Sequence, residues 1–414
     1  MRPHRLLALA SLLLSFAAVR GEEAVPVTAP PPPSTALLDA VTRAPTLQAA
    51  RARAQAAEAR TGAAGRFPDP TLEGMYSQVR QPMGGEKFPM WALTFSQPLP
   101  KAGERSADRD RASAVLSMAE ADYAVMAGEM AADTAMAIAD ADAARARSDL
   151  LERQIARTEK ILSALDARLA SGSGRVADRL ALQTRIASMR LMIAKENRMA
   201  DDALSDARGR LGLPPDAPLP AFSAPASAEI DPESVPALRL ASAKTDEARA
   251  MVRMARASAR PMTSVGLRFE REQESLGNTD TIGVIFMTEL PFRSRAYAHA
   301  EQRAARAEET AARADSDSAR HRARSALSRS ERAERLAATS RKLAAETSSR
   351  LDAEYDSLIR SAGTPAMAGG ETSVLMVLEI LERQTDADLQ VVEADYAARS
   401  ARAELWRYAP ASLF

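Results

Sequence analysis

The chain has 414 residues, with 55 Lys and Arg against 55 Asp and Glu, so its formal charge is zero, and it has no cysteine. Balanced charge offers no concentrated basic face for nucleic acid, and without cysteine there is no disulfide framework, thiolate nucleophile, Cys metal site or Cys-linked lipid. Hydrophobic residues reach 46% while aromatics are only 4%, an alanine-dominated balance that suits helices packed closely along their length rather than a thick globular core.

The N-terminus reads as an address. Arg2, His4 and Arg5 precede an apolar run over 6–19, and small residues around Gly21 offer a cleavage point. That run is too short for a membrane span of about 20 apolar residues, so 1–21 is expected to be a secretory signal peptide. Residues 22–35, with prolines at 30–33, should form an extended, polyproline-like arm.

The chain then repeats itself. Pro45 recurs as Pro236, Pro70 as Pro261, and Leu99-Pro100 as Leu290-Pro291, each pair 191 positions apart. Two copies of one unit are expected, over 36–213 and 232–410, joined by a Pro- and Ala-rich linker at 214–231. Each copy reads helix, strand, strand, long helix, turn, helix.

In the first copy an alanine-rich helix over 37–66 ends at Phe67-Pro68-Asp69-Pro70, where proline forces the chain out of helix. Strands follow at about 70–81 and 89–98. Trp91, Leu93 and Phe95 share one face of the second, opposite Ala92, Thr94 and Ser96. From about Ala102 to Ala170 no proline or turn cluster interrupts the chain, which predicts a helix on the order of 100 Å long. Its seam alternates steps of three and four through Leu116, Ala119, Tyr123, Met126 and Met130, and again from Leu151 through Ile155, Thr158, Leu162, Leu165 and Leu169. A glycine-bearing tip at 170–175 turns the chain into the next helix.

The second copy predicts strands at about 262–273 and 280–290, with Val265, Leu267 and Phe269 on one face and Ile282, Val284 and Phe286 on the matching face. Segments of this length with one apolar and one partly charged face fit either outer-membrane barrel strands or half-buried hairpins of a soluble protein. The second long helix carries smaller knobs, Tyr297, Ala300, Ala304, Ala307, Ala311 and Ala314, and its tip falls at about 361–371. Catalysis has no support. His299 and His321 stand 22 residues apart on that helix, too far to form a ligand pair on one face, and no phosphate loop, nucleophile elbow or metalloprotease motif is present. No enzyme activity, cofactor or metal site is expected.

A signal peptide, a duplicated helix-strand-strand-helix unit, strands ending in Gln97-Pro98-Leu99-Pro100 and Glu289-Leu290-Pro291-Phe292, and a tip reading Gly-Glu-Thr-Ser-Val-Leu-Met-Val-Leu-Glu over 370–379 together resemble the TolC family of outer-membrane efflux proteins. The short chain and the Phe67-Pro68-Asp69-Pro70 approach to the first strand are similar to its heavy-metal branch of CzcC- and CusC-like exporters. The resemblance implies a mainly α fold with a small β part: a coiled helical tube plus four strands per protomer in a homotrimeric 12-stranded barrel in the outer membrane. It implies docking of a periplasmic adaptor (membrane fusion) protein and an inner-membrane pump at tips built around Gly172, Arg175, Asp178 and Leu180, and around Gly370, Ser373, Leu375 and Leu378. It further implies a periplasmic gate at Glu379, although the second carboxylate expected there is Met376. The strand residues Trp91, Leu93, Phe95, Val265, Leu267, Phe269, Ile282, Val284 and Phe286 would face lipid. The competing expectation is a soluble periplasmic coiled-coil structural or adaptor protein.

Overall fold

The computed structural model describes residues 35–80, 87–172, 174–220, 225, 230–274, 277–291, 294–362, 373–410 and 413. The expected signal peptide, nearly all of the proline-rich arm and most of the second tip lie outside these residues. The elements run α1 (Thr35–Arg43), α2 (Pro45–Ala63), β1 (Thr71–Arg80), β2 (Lys87–Leu99), α3 (Glu104–Ala170), α4 (Val176–Leu211), α5 (Pro236–Ser258), β3 (Met262–Glu274), β4 (Gly277–Glu289), α6 (Ser294–Ala362) and α7 (Ser373–Glu404), closing with a 3₁₀ turn, Leu405–Tyr408.

Local chemistry explains where these elements begin and end. Both α2 and α5 start with proline in the first turn, where its missing N–H costs nothing and its fixed φ suits a helix. The single helix expected over 37–66 is therefore two, α1 and α2, parted at Ala44, whose extended backbone precedes Pro45. At the other end of α4, Gly212 takes φ +67°, and Leu213 N–H donates to Arg208 O at 2.9 Å, a left-handed cap of the kind glycine permits. A Cβ there would also meet Pro45 Cδ at 2.8 Å, so the end of α4 abuts the start of α2.

The long helices, α3 of 67 residues and α6 of 69, are each about 100 Å long. Helix α3 packs along α2 and α5 in its upper part and along α4 and α7 in its lower part, while α6 packs on α5 and then α7. The core is correspondingly thin and mostly alanine. It thickens midway, where α1, α2, α3, the end of α4 and the C-terminus meet around Leu37, Val41, Leu47, Leu211 and Trp406. A second cluster joins Ile230 and Val235 to Ala323, Ala326 and Leu405. Close approach is enforced at Gly128 of α3, where a Cβ would lie 2.8 Å from Trp406 O.

The expected seam of the lower α3 is occupied: Leu151, Ile155, Thr158 and Leu165 are buried. The seam expected on α6 requires correction. Tyr297, Ala300, Ala304, Ala307, Ala311 and Ala314 are all exposed, and the residues buried against α5 are instead Ala298, Ala305, Ala312 and Ala319. Alanines at helical spacing occur on two faces of this helix, and periodicity alone does not identify the face that packs within the chain.

The strands form one antiparallel sheet in the order β1-β2-β3-β4. Its base is pinned to the helices at two corners. Gly65 N–H donates to Asp108 Oδ2 at 2.7 Å, Arg105 Nε donates to Gly65 O at 2.7 Å, and the Arg105 guanidinium stacks over Phe67 at 4.1 Å. On the other corner Lys101 Nζ donates to Ser258 O and Arg260 donates to Ala102 O, which ties the end of α5 to the start of α3.

Candidate functional site

The register of the sheet sorts its residues into two unlike faces. One row across it reads Leu72, Phe95, Leu267, Val284, and the next reads Gly74, Leu93, Phe269, Ile282. With Trp91, Val265 and Phe286, this face carries all nine strand residues singled out in the sequence. Eight of the nine are exposed large hydrophobics, Ile282 to 79% and Phe286 to 72%; Val265 is half-buried. Towards the hairpin ends the face closes with Tyr76 edge-on to Trp91 at 5.0 Å and with Arg271 paired to Asp280 through Nε and Nη2, at 2.7 and 2.8 Å. Leu72 and Tyr76 belong to this face but did not stand out in the sequence, because Met75 on the opposite face blurs the alternation of β1.

The opposite face pairs Glu73 with Thr94, Thr94 with Arg268, and Ala92 with Glu270. Among the described residues it carries Glu73, Glu270, Glu272 and Glu289 against one cation, Arg268, which bonds Glu270 at 2.9 Å. Gly266 is required on this face, since a Cβ would meet Phe95 O at 2.8 Å. Within the protomer β1 and β4 are edge strands, each with one side unpaired. Among the described residues no helix is long and apolar enough to cross a membrane.

At the far end of the molecule, α3 and α4 meet in a tight tip. Gly172 adopts φ +75°, and its N–H donates to Leu169 O at 3.1 Å. Gly174 is packed against Leu169, with a Cβ position 2.8 Å from Leu169 Cγ. Arg175 is the N-cap of α4 and Asp178 lies in its first turn, where a carboxylate complements the helix dipole. The tip is clasped by Arg179 and Asp166 at 2.7 Å, while Val176 and Leu180 remain more than half exposed. At the other tip Gly370 lies outside the described residues. Ser373 and Leu375 fall in the first turn of α7, and Leu378 is half-buried. Glu379 is exposed and bonds Arg383 one turn on, at 2.5 Å.

Sequence reasoning missed a polar network just above the tips that fastens α7 to its neighbours. Buried Gln154 of α3 donates to Leu381 O at 3.2 Å, and Arg157 donates to Gln384 Oε1 at 2.5 Å. Gln384 in turn donates to Ser348 Oγ and Asp352 Oδ1 of α6, at 3.2 and 3.0 Å. Arg185 of α4 pairs with Glu382. Nearby, burial pushes the Asp388 carboxyl above its ordinary range; Arg157 and Arg153 pull it back and Asp352 adds to the rise. The available signal was Gln154 and Gln384 interrupting otherwise apolar or small-residue seams, which buried polar groups do only with partners.

Residues 36–211 match the family described as outer membrane efflux protein. In fold the chain is similar to the outer membrane protein VceC of Vibrio cholerae, with a TM-score of 0.72 and 16% identity over 90% of this chain and 95% of that one. It is similar also to the MtrE outer membrane channel of Neisseria gonorrhoeae in its open state, with a TM-score of 0.65 and 18% identity over 90% and 88% of the two chains. CusC, described for conformational changes accompanying folding and transmembrane channel formation, gives a TM-score of 0.65 and 18% identity over 90% and 91%. No curated protein matches the sequence.

Proposed function

Because residues 36–211 match the outer membrane efflux protein family and the chain shares its fold with outer-membrane channels over 90% of its length, we propose that it is the outer-membrane channel of a tripartite efflux system. The observation that carries this reading is the sheet with one apolar and one charged face and two unpaired edges. In hydrocarbon every backbone polar group needs a partner inside the protein, so a spanning sheet must close on itself. Four strands are half the smallest single-chain barrel of about eight; three copies closing edge to edge make twelve. The face carrying Trp91, Leu93, Phe95, Val265, Leu267, Phe269, Ile282, Val284 and Phe286 then meets lipid, and the face carrying Glu73, Glu270, Glu272 and Glu289 lines the duct.

In this assembly the helices continue the barrel as a periplasmic tube, and the tips around Gly172, Arg175, Asp178 and Leu180, and around Gly370, Ser373, Leu375 and Leu378, receive a periplasmic adaptor that couples the duct to an inner-membrane pump. Exposed Val176 and Leu180 beside a glycine turn give that partner an apolar foothold. The excess of carboxylates on the duct face favours cations, in keeping with export of small cationic solutes, heavy-metal ions among them. Glu379 narrows the periplasmic entrance; its pairing with Arg383 predicts a weaker cation preference there than an unpaired carboxylate would give. The chain acts as a conduit, not as an enzyme.

The test is the native mass of the mature protein after outer membrane, inner membrane and soluble periplasm are separated, followed by conductance of the purified protein in a planar bilayer. A trimer from the outer membrane that conducts, with cations preferred, is expected. A soluble periplasmic monomer or dimer without conductance overturns the reading and leaves a coiled-coil scaffold.

A further inference from the structure

The contacts within the protomer arrange its elements as a wall with two unlike edges. In the sheet the order is β1-β2-β3-β4. In the helices α2 and α4 pack on α3 and α1, and α6 packs on α5, α7 and the 3₁₀ turn. One edge is therefore β1, α2 and α4, and the other is β4 and α6. Both helical edges carry side chains that a solitary wall would not need. On α2 the exposed residues Ala52, Ala56, Ala59 and Ala63 alternate steps of four and three. On α6 the exposed Ala300, Ala304, Ala307, Ala311 and Ala314 do the same.

Lower down, the exposed side of α6 changes character. Leu336 and Leu343 are exposed to 58% and 57%, flanked by exposed Arg332 and Glu346. The exposed side of α4 carries Leu191 and Met199, exposed to 75% and 45%, flanked by Lys195 and Asp206. Among the described residues Arg332, Glu346, Lys195 and Asp206 have no ion pair within the chain.

Ion pairs across the wall fix the heights of these residues. Asp133 of α3 takes Arg210 of α4 at 2.9 Å and Arg407 at 2.8 Å, and Arg329 of α6 pairs with Glu404 beside it. Further down, Arg147 takes Glu196 of α4 and Glu393 of α7, and Arg341 of α6 pairs with Asp395. Residue 210 is thus level with about 329, and 196 with about 341, the two helices running in opposite directions at about 1.5 Å per residue. On this ladder Arg332 stands level with Asp206, and Glu346 within about one turn of Lys195. Leu336 and Leu343 fall at the heights of Met199 and Leu191, again to about one turn. Rotation about the axis of a tube preserves height, so what is level on the two edges of one copy meets when copies stand side by side.

We propose that these two edges are the halves of one heterologous seam between successive copies of this chain. The alanine stripe of α6 lies on that of α2, and below it Arg332 pairs with Asp206 and Glu346 with Lys195 around a Leu–Met contact. The proposal rests on the channel reading and adds to it the faces and the register. The charge order also excludes the reversed contact: α6 against α6 would set Arg332 beside arginine-rich helix, whereas α6 against α4 alternates opposite charges.

The chain has no cysteine of its own, so paired substitutions report the seam directly. Full-length protein carrying Arg332→Cys and Asp206→Cys is oxidised in the membrane and run on a denaturing gel. A covalent trimer is expected, monomer from either single variant, and covalent dimer when the two single variants are co-expressed. A control pairing Arg332→Cys with Asp201→Cys, about 140° round α4 from Asp206, should cross-link at least tenfold less. A charge swap gives a second readout: Arg332→Asp should lower the trimer fraction severalfold in native mass, and adding Asp206→Arg should restore it. If the wild type is an outer-membrane trimer yet the double-cysteine protein stays monomeric and the swap fails to restore assembly, the seam is wrong and the channel reading survives. If the wild type is a soluble monomer, both fall.

Discussion

Gly128 and Gly62 show how the same residue type is used in opposite ways. At Gly128 the missing side chain is space already taken by the backbone of Trp406, 2.8 Å from where a Cβ would lie, whereas around Gly62, in α2, nothing stands within 4 Å. Gly128→Ala is therefore expected to destabilise by about 1–3 kcal/mol, as overpacking does, and Gly62→Ala to stabilise by about 0.5–1 kcal/mol through lower chain entropy. Thermal unfolding followed by circular dichroism in detergent separates the two. Asp388 supplies a pH-dependent counterpart. Burial raises its folded value above the unfolded one, so the native state holds the proton more tightly, and the stability this gives at low pH is lost as pH rises through the folded value. Asp388→Asn should accordingly raise the melting midpoint at about pH 8, and the gain should shrink towards about pH 4, near the ordinary Asp range. An equal gain at both pH values would show that packing, not charge, governs the site.

Among the elements, the strands were the more legible. A period of two separates Trp91, Leu93 and Phe95 from their neighbours whatever the partner is, and the register then aligns them with Leu267, Phe269, Ile282 and Val284. The helices were legible in extent but not in facing. Helix α6 has alanine stripes on two sides, and only one of them meets a partner within the chain. The network at Gln154, Arg157 and Gln384 was hidden for another reason: it joins α3 and α7 and, through Ser348 and Asp352, α6, and no local pattern marks residues 227 positions apart as neighbours. The sheet makes the sharper prediction. Leu267→Arg places a charge at the middle of the apolar face and should cost about 2–4 kcal/mol of barrel stability if that face meets the bilayer midplane. Thr281→Arg, on the other face beside Glu270, should leave assembly intact and lower cation preference. Heat-modifiable migration and reversal potential read the two effects, and equal tolerance of both arginines would refute the assignment of faces.

At mid-height two neighbouring residues join the halves of the molecule. Leu405 and Trp406, adjacent in the 3₁₀ turn and both fully buried, belong to different clusters: Trp406 packs with α1, α2 and α3, and Leu405 with Ile230, Val235 and α6. This 3₁₀ turn thus sews the first half to the second. Trp406→Ala should cost about 3–5 kcal/mol and, unlike a truncation at the tip, should loosen α3 and α6 together, which hydrogen exchange along both helices would detect. Loss of protection confined to the C-terminal residues would contradict this coupling.

The alanines that α6 buries carry one more consequence. Ala298, Ala305, Ala312, Ala319 and Ala326 recur every seven residues, and a second buried series, Ala323, Ser330, Ala337 and Leu351, keeps the same sevens four residues on. Where the two overlap, from Ala319 through Ala323 and Ala326 to Ser330, steps of four and three alternate, so one heptad seam runs unbroken down the helix. The overlap falls at the mid-height cluster of Ala323 and Ala326, where α6 gives up α5 and takes α7 as its partner. A seven-residue repeat kept throughout favours one left-handed supercoil along all of α6, so the helix changes partners without a break in its twist.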